Sequence, residues 1–107
     1  STTSVENENI TPTVFVLEQN YPNPFNPSTK IRYTIPLVIA SKAKQSRLVT
    51  LKVYDVLGTE VSTLINEEKP AGTYEVQFDA TKIPSGVYFY KLQSGNFLQT
   101  KKMVVIK

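Results

Sequence analysis

Apolar and polar residues alternate with a period of two in several stretches of the chain, and no stretch repeats at helical spacing. Residues 30–35 put Ile31, Tyr33 and Ile35 on one face and Lys30, Arg32 and Thr34 on the other, until Pro36 stops the strand. Residues 48–54 set Val49, Leu51 and Val53 against Thr50, Lys52 and Tyr54, and residues 73–79 set Tyr74, Val76 and Phe78 against Thr73, Glu75, Gln77 and Asp79. Residues 87–92 are apolar on both faces, the pattern of a central strand. A short apolar run at 14–18, a strand at 59–65 that turns apolar at Leu64 and Ile65, and a long last segment at 97–107 complete the set. The last segment is too long to be flat, and its pattern blurs at Lys101 and Lys102, where a bulge or bend is expected.

Turn chemistry separates these runs. Asp55-Val56-Leu57-Gly58 predicts a tight hairpin turn, residues 66–72 an exposed turn cluster, residues 81–86 a corner, and Ser94-Gly95-Asn96 a hairpin into the last strand. Seven short strands without a helical period predict an all-β antiparallel sandwich. Its expected core is Ile31, Tyr33, Ile35, Val49, Leu51, Val53, Tyr74, Val76, Phe78, Tyr88, Tyr90 and Leu92. Tyr88 either packs as an ordinary core tyrosine or forms a tyrosine corner, its hydroxyl bonding the backbone a few residues upstream.

Residues 19–29 hold three prolines and three asparagines, which forbids a helix because proline lacks an amide proton and drives the preceding residue into extended backbone. Tyr21 and Phe25 stand among these rigid links as expected anchors of a stiff loop joining two strands. Residues 1–13 are polar and acidic, as a flexible linker would be, which leaves 14–107 as one sandwich domain. Val38 to Arg47 carries Lys42, Lys44 and Arg47 and reads as a basic hairpin tip or mobile loop.

Composition narrows the chemistry. The chain has no cysteine and no histidine, which removes disulfides, thiolate nucleophiles, imidazole bases and their metal sites. Nine carboxylates remain, and no spacing makes two of them an acid and base pair; no enzyme, cofactor or metal is expected. Net charge is +3, with Glu6, Glu8 and Glu18 and no base in residues 1–29, then twelve basic against six acidic residues in 30–107. That excess falls short of the basic stripe of a nucleic-acid binder, and no apolar run reaches the length of a membrane span. The opening at Ser1, with no methionine and no signal peptide, points to a piece of something longer.

Several motifs in one order carry a resemblance: Leu17-Glu18-Gln19-Asn20-Tyr21-Pro22-Asn23-Pro24-Phe25-Asn26-Pro27, Val53-Tyr54-Asp55 with Gly58 and Glu60-Val61, Ala71-Gly72-Thr73-Tyr74, Ser85-Gly86-Val87-Tyr88-Phe89-Tyr90, and Lys101-Lys102-Met103-Val104. Over residues 15–107 the chain resembles the C-terminal sorting domains of type IX secretion, which are similar in fold to immunoglobulin-like sandwiches. Val38 to Arg47 looks like an insertion in that pattern, and Phe78 stands where many relatives have tryptophan. The resemblance implies a non-catalytic address that takes an N-terminally fused cargo through the periplasm to an outer-membrane translocon, and thence to the cell surface or the medium. It also implies a surface sortase cutting within residues 1–13. Recognition residues carried over from the motifs are Pro22, Asn23, Pro24, Gly86, Tyr88, Lys101, Lys102, Val104 and Lys107. If the last strand lies at a sheet edge, its unpaired backbone can add to a partner's sheet, with the lysines guarding it. The competing readings are a structural immunoglobulin-like spacer and a carbohydrate-binding accessory module; exposed aromatics favour the latter and the lack of tryptophan opposes it.

Overall fold

The computed structural model describes residues 14–36 and 46–107; the expected linker at 1–13 and most of the basic segment expected as a loop from Val38 to Arg47 lie outside the described residues, while Arg47, expected in that loop, is instead in a strand, paired opposite Lys69. Seven strands follow in order: β1 (Val16–Leu17), β2 (Ser28–Ile35), β3 (Ser46–Tyr54), β4 (Glu60–Pro70), β5 (Gly72–Asp79), β6 (Gly86–Ser94) and β7 (Phe97–Val105). One sheet has the order β1-β2-β5 and the other β4-β3-β6-β7, every strand pair antiparallel and no described residue helical.

The alternation places the core. Ile31, Tyr33 and Ile35 of β2 share it with Val49, Leu51 and Val53 of β3, Tyr88, Tyr90 and Leu92 of β6, and Met103 and Val105 of β7, all buried. Each such side chain taken fully out of water contributes about 1.5–3 kcal/mol. Phe78 is buried too, at 4% exposure, whereas Tyr74 and Val76, expected inside, are only half-buried. The reason is position: β5 is the edge of the smaller sheet, so its inner row lies near the rim, and Tyr74 is covered on one side by Tyr33, ring centroids 5.4 Å apart.

Two further expectations are corrected. β4 does not stop at Ile65 but pairs with β3 through Glu67, Glu68, Lys69 and Pro70, so the supposed turn cluster is mostly strand. Charges and a terminal proline read as loop, yet both are tolerated on an edge strand that faces solvent. No bulge occurs at Lys101 and Lys102; the β6–β7 register is unbroken from Ser94↔Phe97 to Gly86↔Val105. Lys101 lies on the inward row, but β7 is an edge strand, so its half-buried side chain reaches the rim without breaking the ladder. The register shifts fall instead between Leu51 and Lys52 and between Val53 and Tyr54, in the β3–β4 pair.

The tyrosine corner forms, and it forms twice. Tyr88 donates its hydroxyl hydrogen bond to the Pro84 carbonyl at 2.8 Å, and Tyr74 donates to the Pro70 carbonyl at 2.6 Å. Both sit in the pattern Pro-x-Gly-x-Tyr, Pro70-Ala71-Gly72-Thr73-Tyr74 and Pro84-Ser85-Gly86-Val87-Tyr88, with each glycine at φ 152°. A side chain at that φ is strained, so glycine lets the chain swing into the strand while the tyrosine reaches back to fasten the corner.

Truncating Phe78 to alanine should cost about 3–5 kcal/mol in urea unfolding, against about 0.5 kcal/mol or less for Gln77→Ala. Equal losses would contradict the β5 register.

Candidate functional site

The proline loop is closed at its neck by backbone. Tyr21 and Lys30 exchange both hydrogen bonds at 3.0 Å, so residues 22–29 project as one loop from the start of β2. Inside the neck Asn20, 2% exposed, donates from Nδ2 to the Pro22 carbonyl at 3.1 Å and to Thr29 Oγ1 at 3.0 Å. Thr29 Oγ1 in turn donates to the Pro22 carbonyl at 2.8 Å. Tyr90 reaches this neck from β6: its hydroxyl accepts from the Asn20 amide at 2.8 Å and donates to the Glu18 carbonyl at 2.7 Å. Burial pushes the Tyr90 phenol up to about 12, partly offset by the Asn20 amide. One anchor is therefore corrected. Tyr21 is 81% exposed and holds the loop only by its backbone, while the buried contacts come from Asn20 and Phe25.

Phe25 is 2% exposed and meets Phe78 edge to face, centroids 6.1 Å apart. With its ring fixed in the core, its backbone lies against the last strand: the Phe25 amide donates to the Val104 carbonyl and the Ile106 amide donates to the Phe25 carbonyl, both at 3.0 Å. Two side chains extend this bridge, Asn23 Oδ1 accepting from the Val104 amide at 2.9 Å and Gln19 Nε2 donating to the Lys102 carbonyl at 2.7 Å. The outer edge of β7 is thus capped from Lys102 onward.

All but one of the motifs meet at one end of the sandwich, where β3 and β7 finish and β2, β4 and β6 begin; Ala71-Gly72-Thr73-Tyr74 lies at the other end, with Gly72 opposite Ile35. Asp55 shapes the β3–β4 turn there, its Oδ1 accepting from the amides of Leu57 at 2.9 Å and Thr59 at 3.0 Å, with Gly58 at φ 86° closing it. Val56 and Leu57 stand out from that turn, 66% and 86% exposed, and Ile106 is 53% exposed. Lys107 is tied down, its amide donating to Ser85 Oγ at 3.0 Å and its Nζ to the Thr81 carbonyl at 2.8 Å. Burial raises the Tyr88 phenol, and the Asp55 carboxylate adds to the rise. Beside this end a cleft of about 320 Å³ opens between β4 and β5. Of its lining residues only Asp79 and Lys82 ionise, and the Thr81 hydroxyl and amide hold the Asp79 carboxyl below its ordinary value.

Of the expected recognition residues, Asn23, Gly86, Val104 and Lys107 come together at this end, with Pro22 and Pro24 exposed beside them. Tyr88 is buried, and its hydroxyl is spent on the corner. Lys101 and Lys102 do not act side by side, since the alternation of β7 sends them to opposite faces. The pair that motif reading passed over is Val56 and Leu57. Two apolar residues in the centre of a two-strand turn cannot be buried, and that mismatch with turn chemistry is readable in the sequence. Among the described residues no group of His, Cys, Asp or Glu side chains could hold a metal. The arrangement holds exposed apolar side chains, Val56, Leu57 and Ile106, on a hydrogen-bonded frame.

A family model described as a secretion system C-terminal sorting domain matches residues 19–107. No curated protein matches the chain. Among solved structures, the solution structure of the sensor domain of the anti-sigma factor RsgI4 from Pseudobacteroides cellulosolvens is similar, with 15% identity and a TM-score of 0.56, covering 89% of this chain and 77% of that one. At that identity the likeness is one of fold.

Tyr90→Phe keeps the ring but leaves the buried Asn20 amide without its acceptor, which should cost about 1–3 kcal/mol. Burial favours the neutral phenol, so the stability Tyr90 contributes is whole below its ordinary value of 10.0 and is lost as pH rises toward about 12. Urea unfolding at about pH 9 and about pH 11 should show a shallower loss in Tyr90→Phe than in the parent chain. An unchanged slope would mean that the hydroxyl is not held as described.

Proposed function

The chain belongs to the family of secretion system C-terminal sorting domains, and from that premise we propose that the end of the sandwich carrying the proline loop, the β3–β4 turn and residues 104–107 is what the export machinery reads. Domains of this family are sorting signals for type IX secretion, and cargo joined ahead of them is exported to the cell surface or the extracellular space. The family is in general non-catalytic. In our reading this chain has no reaction of its own. Residues 14–107 are the address and residues 1–13 the linker, cargo reaches the outer membrane by way of the periplasm, and a surface sortase cuts in the linker. Pro22, Asn23, Pro24, Gly86, Val104 and Lys107 belong to the recognised surface, with Tyr88 supporting it from beneath. Lys101 and Lys102 flank it along β7.

The observation that carries this reading is convergence. Segments as far apart in sequence as Asn23 and Val104 are hydrogen-bonded together, and the frame they make holds Val56, Leu57 and Ile106 out in water. A partner that buried Val56 and Leu57 would gain about 1.5–3 kcal/mol for each, against a surface already rigid. An unfolded chain offers none of this, so the folded shape is itself the signal.

The chain fused behind a reporter should be exported in a strain with the type IX translocon and retained in one without it. Val56→Ser combined with Leu57→Ser should change stability by about 0.5 kcal/mol or less at each position and sharply reduce export. Leu48→Ser, an exposed apolar position at the opposite end of β3, serves as the control and should be exported normally. Normal export of the folded double variant would show that this end is not read.

A further inference from the structure

The edge of β7 is capped over only half its length. A two-residue loop joins Ser94 to Phe97, and the register runs on unbroken, so the odd-numbered residues of β7 turn their peptide groups toward β6 and the even-numbered ones turn theirs outward. The capped groups agree, because they are the Lys102 carbonyl and both groups of Val104. Among the described residues the peptide groups of Leu98 and Thr100 and the amide of Lys102 have no partner on that side.

The gap arises where the N-terminal segment changes sheets. That segment runs alongside β7, with the Phe15 ring stacked on Phe97 at 4.5 Å, Gln19 at Lys102 and Phe25 at Val104. Its first part nevertheless bonds to β2, through Val16 and Leu17 and the Glu18 amide on the Arg32 carbonyl at 3.0 Å. Among the described residues it reaches β7 by backbone only at Phe25. Beside Leu98 and Thr100 the outward backbone of the four-stranded sheet is therefore left open, in a slot beside the N-terminal segment.

We propose that this slot is a strand-addition site: an extended segment of the type IX machinery, with an apolar residue near one or two carboxylates, pairs with the backbone of Leu98, Thr100 and Lys102. The inference rests on the reading that the machinery binds this domain. Leu98 is 57% exposed on the outer face of the slot, which calls for an apolar neighbour. Lys101 and Lys102 lie one on each face, and among the described residues neither has an ion pair, which calls for carboxylates. The same lysines disfavour a second copy of this chain, because two β7 strands paired antiparallel would bring four of them onto neighbouring rungs. The other long edges fit less well. β4 follows a pairing with two register shifts and ends in Glu67, Glu68, Lys69 and Pro70, while the exposed row of β5 is Thr73, Glu75, Gln77 and Asp79.

Amide hydrogen exchange of the whole chain, alone and with detergent-solubilised type IX translocon, tests this. Alone, Leu98 and Thr100 should exchange fast while Gln99 and Met103 are protected; with the translocon, Leu98, Thr100 and Lys102 should slow by about tenfold or more. Thr100→Pro removes an outward amide without touching the β6 ladder, so the variant should keep its melting temperature and lose most export of a fused reporter, whereas Thr100→Val should be exported normally. Normal export of folded Thr100→Pro overturns the site. So does protection of Leu98 and Thr100 in the free chain, which would mean the slot is filled from within, or a translocon footprint confined to the proline loop and the β3–β4 turn. Should Thr100→Pro fail to fold, the footprint on the unmodified chain decides. If the translocon protects nothing, the reading beneath the inference fails with it.

Discussion

An edge strand exposes one row of backbone groups, and on the last strand of this chain that row is closed at its far end by a loop from the beginning. The bridge between Phe25 and the carbonyl of Val104 and amide of Ile106 is short, but it is anchored at both sides. Phe25 is held by its buried ring against Phe78, and Val104 by the unbroken pairing of β7 with β6. Loop and strand end each bond backbone groups that the other would leave open. The loop carries three prolines that cannot donate to any ladder, and the strand end otherwise faces water with open hydrogen-bonding groups.

This constraint orders the rest of that end. With β7 fixed as far as Val105, Lys107 falls within reach of Ser85 and Thr81, and the corner held by Tyr88 sets the height at which β6 begins. The Tyr90 hydroxyl does the same from inside, joining Glu18 and Asn20 at the loop neck to β6, one of the two inner strands of the larger sheet. Because the contacts that tie Glu18, Gln19, Asn20 and Asn23 to β6 and β7 join residues 70 to 83 positions apart, none of them forms until the sandwich has closed. If this end is the surface that is read, as proposed, the address exists only once the domain has folded.

Much of the fold is legible in the residues. Alternation in β2, β3 and β5 needs no partner to be read, and the doubly apolar run of β6 announces a central strand. What misleads is the edge. Glu67 to Pro70 look like loop because charge and proline are rare in paired strands, and Lys101 looks like a bulge because a charge on an inward row is rare; both are permitted only where a sheet ends, which sequence alone does not reveal. The same holds for the anchors. Tyr21 has the composition of a buried residue and Asn20 of an exposed one, and their roles are exchanged by the Tyr90 hydroxyl, seventy residues away. By contrast, the repeated Pro-x-Gly-x-Tyr corner and the apolar turn at Val56 and Leu57 are local and readable.

The claim on which the account turns is that the proline loop and the closing strand form one unit with the core. Native-state hydrogen exchange of Phe25 and Ile106 through a denaturant series measures it directly. Both amides should open with the free energy and denaturant dependence of core amides such as Leu51, that is, only with global unfolding. Exchange through a local opening several kcal/mol lower, roughly independent of denaturant, would contradict it: loop and strand end would then be separate, frayed pieces, and the end of the sandwich no fixed surface to be read.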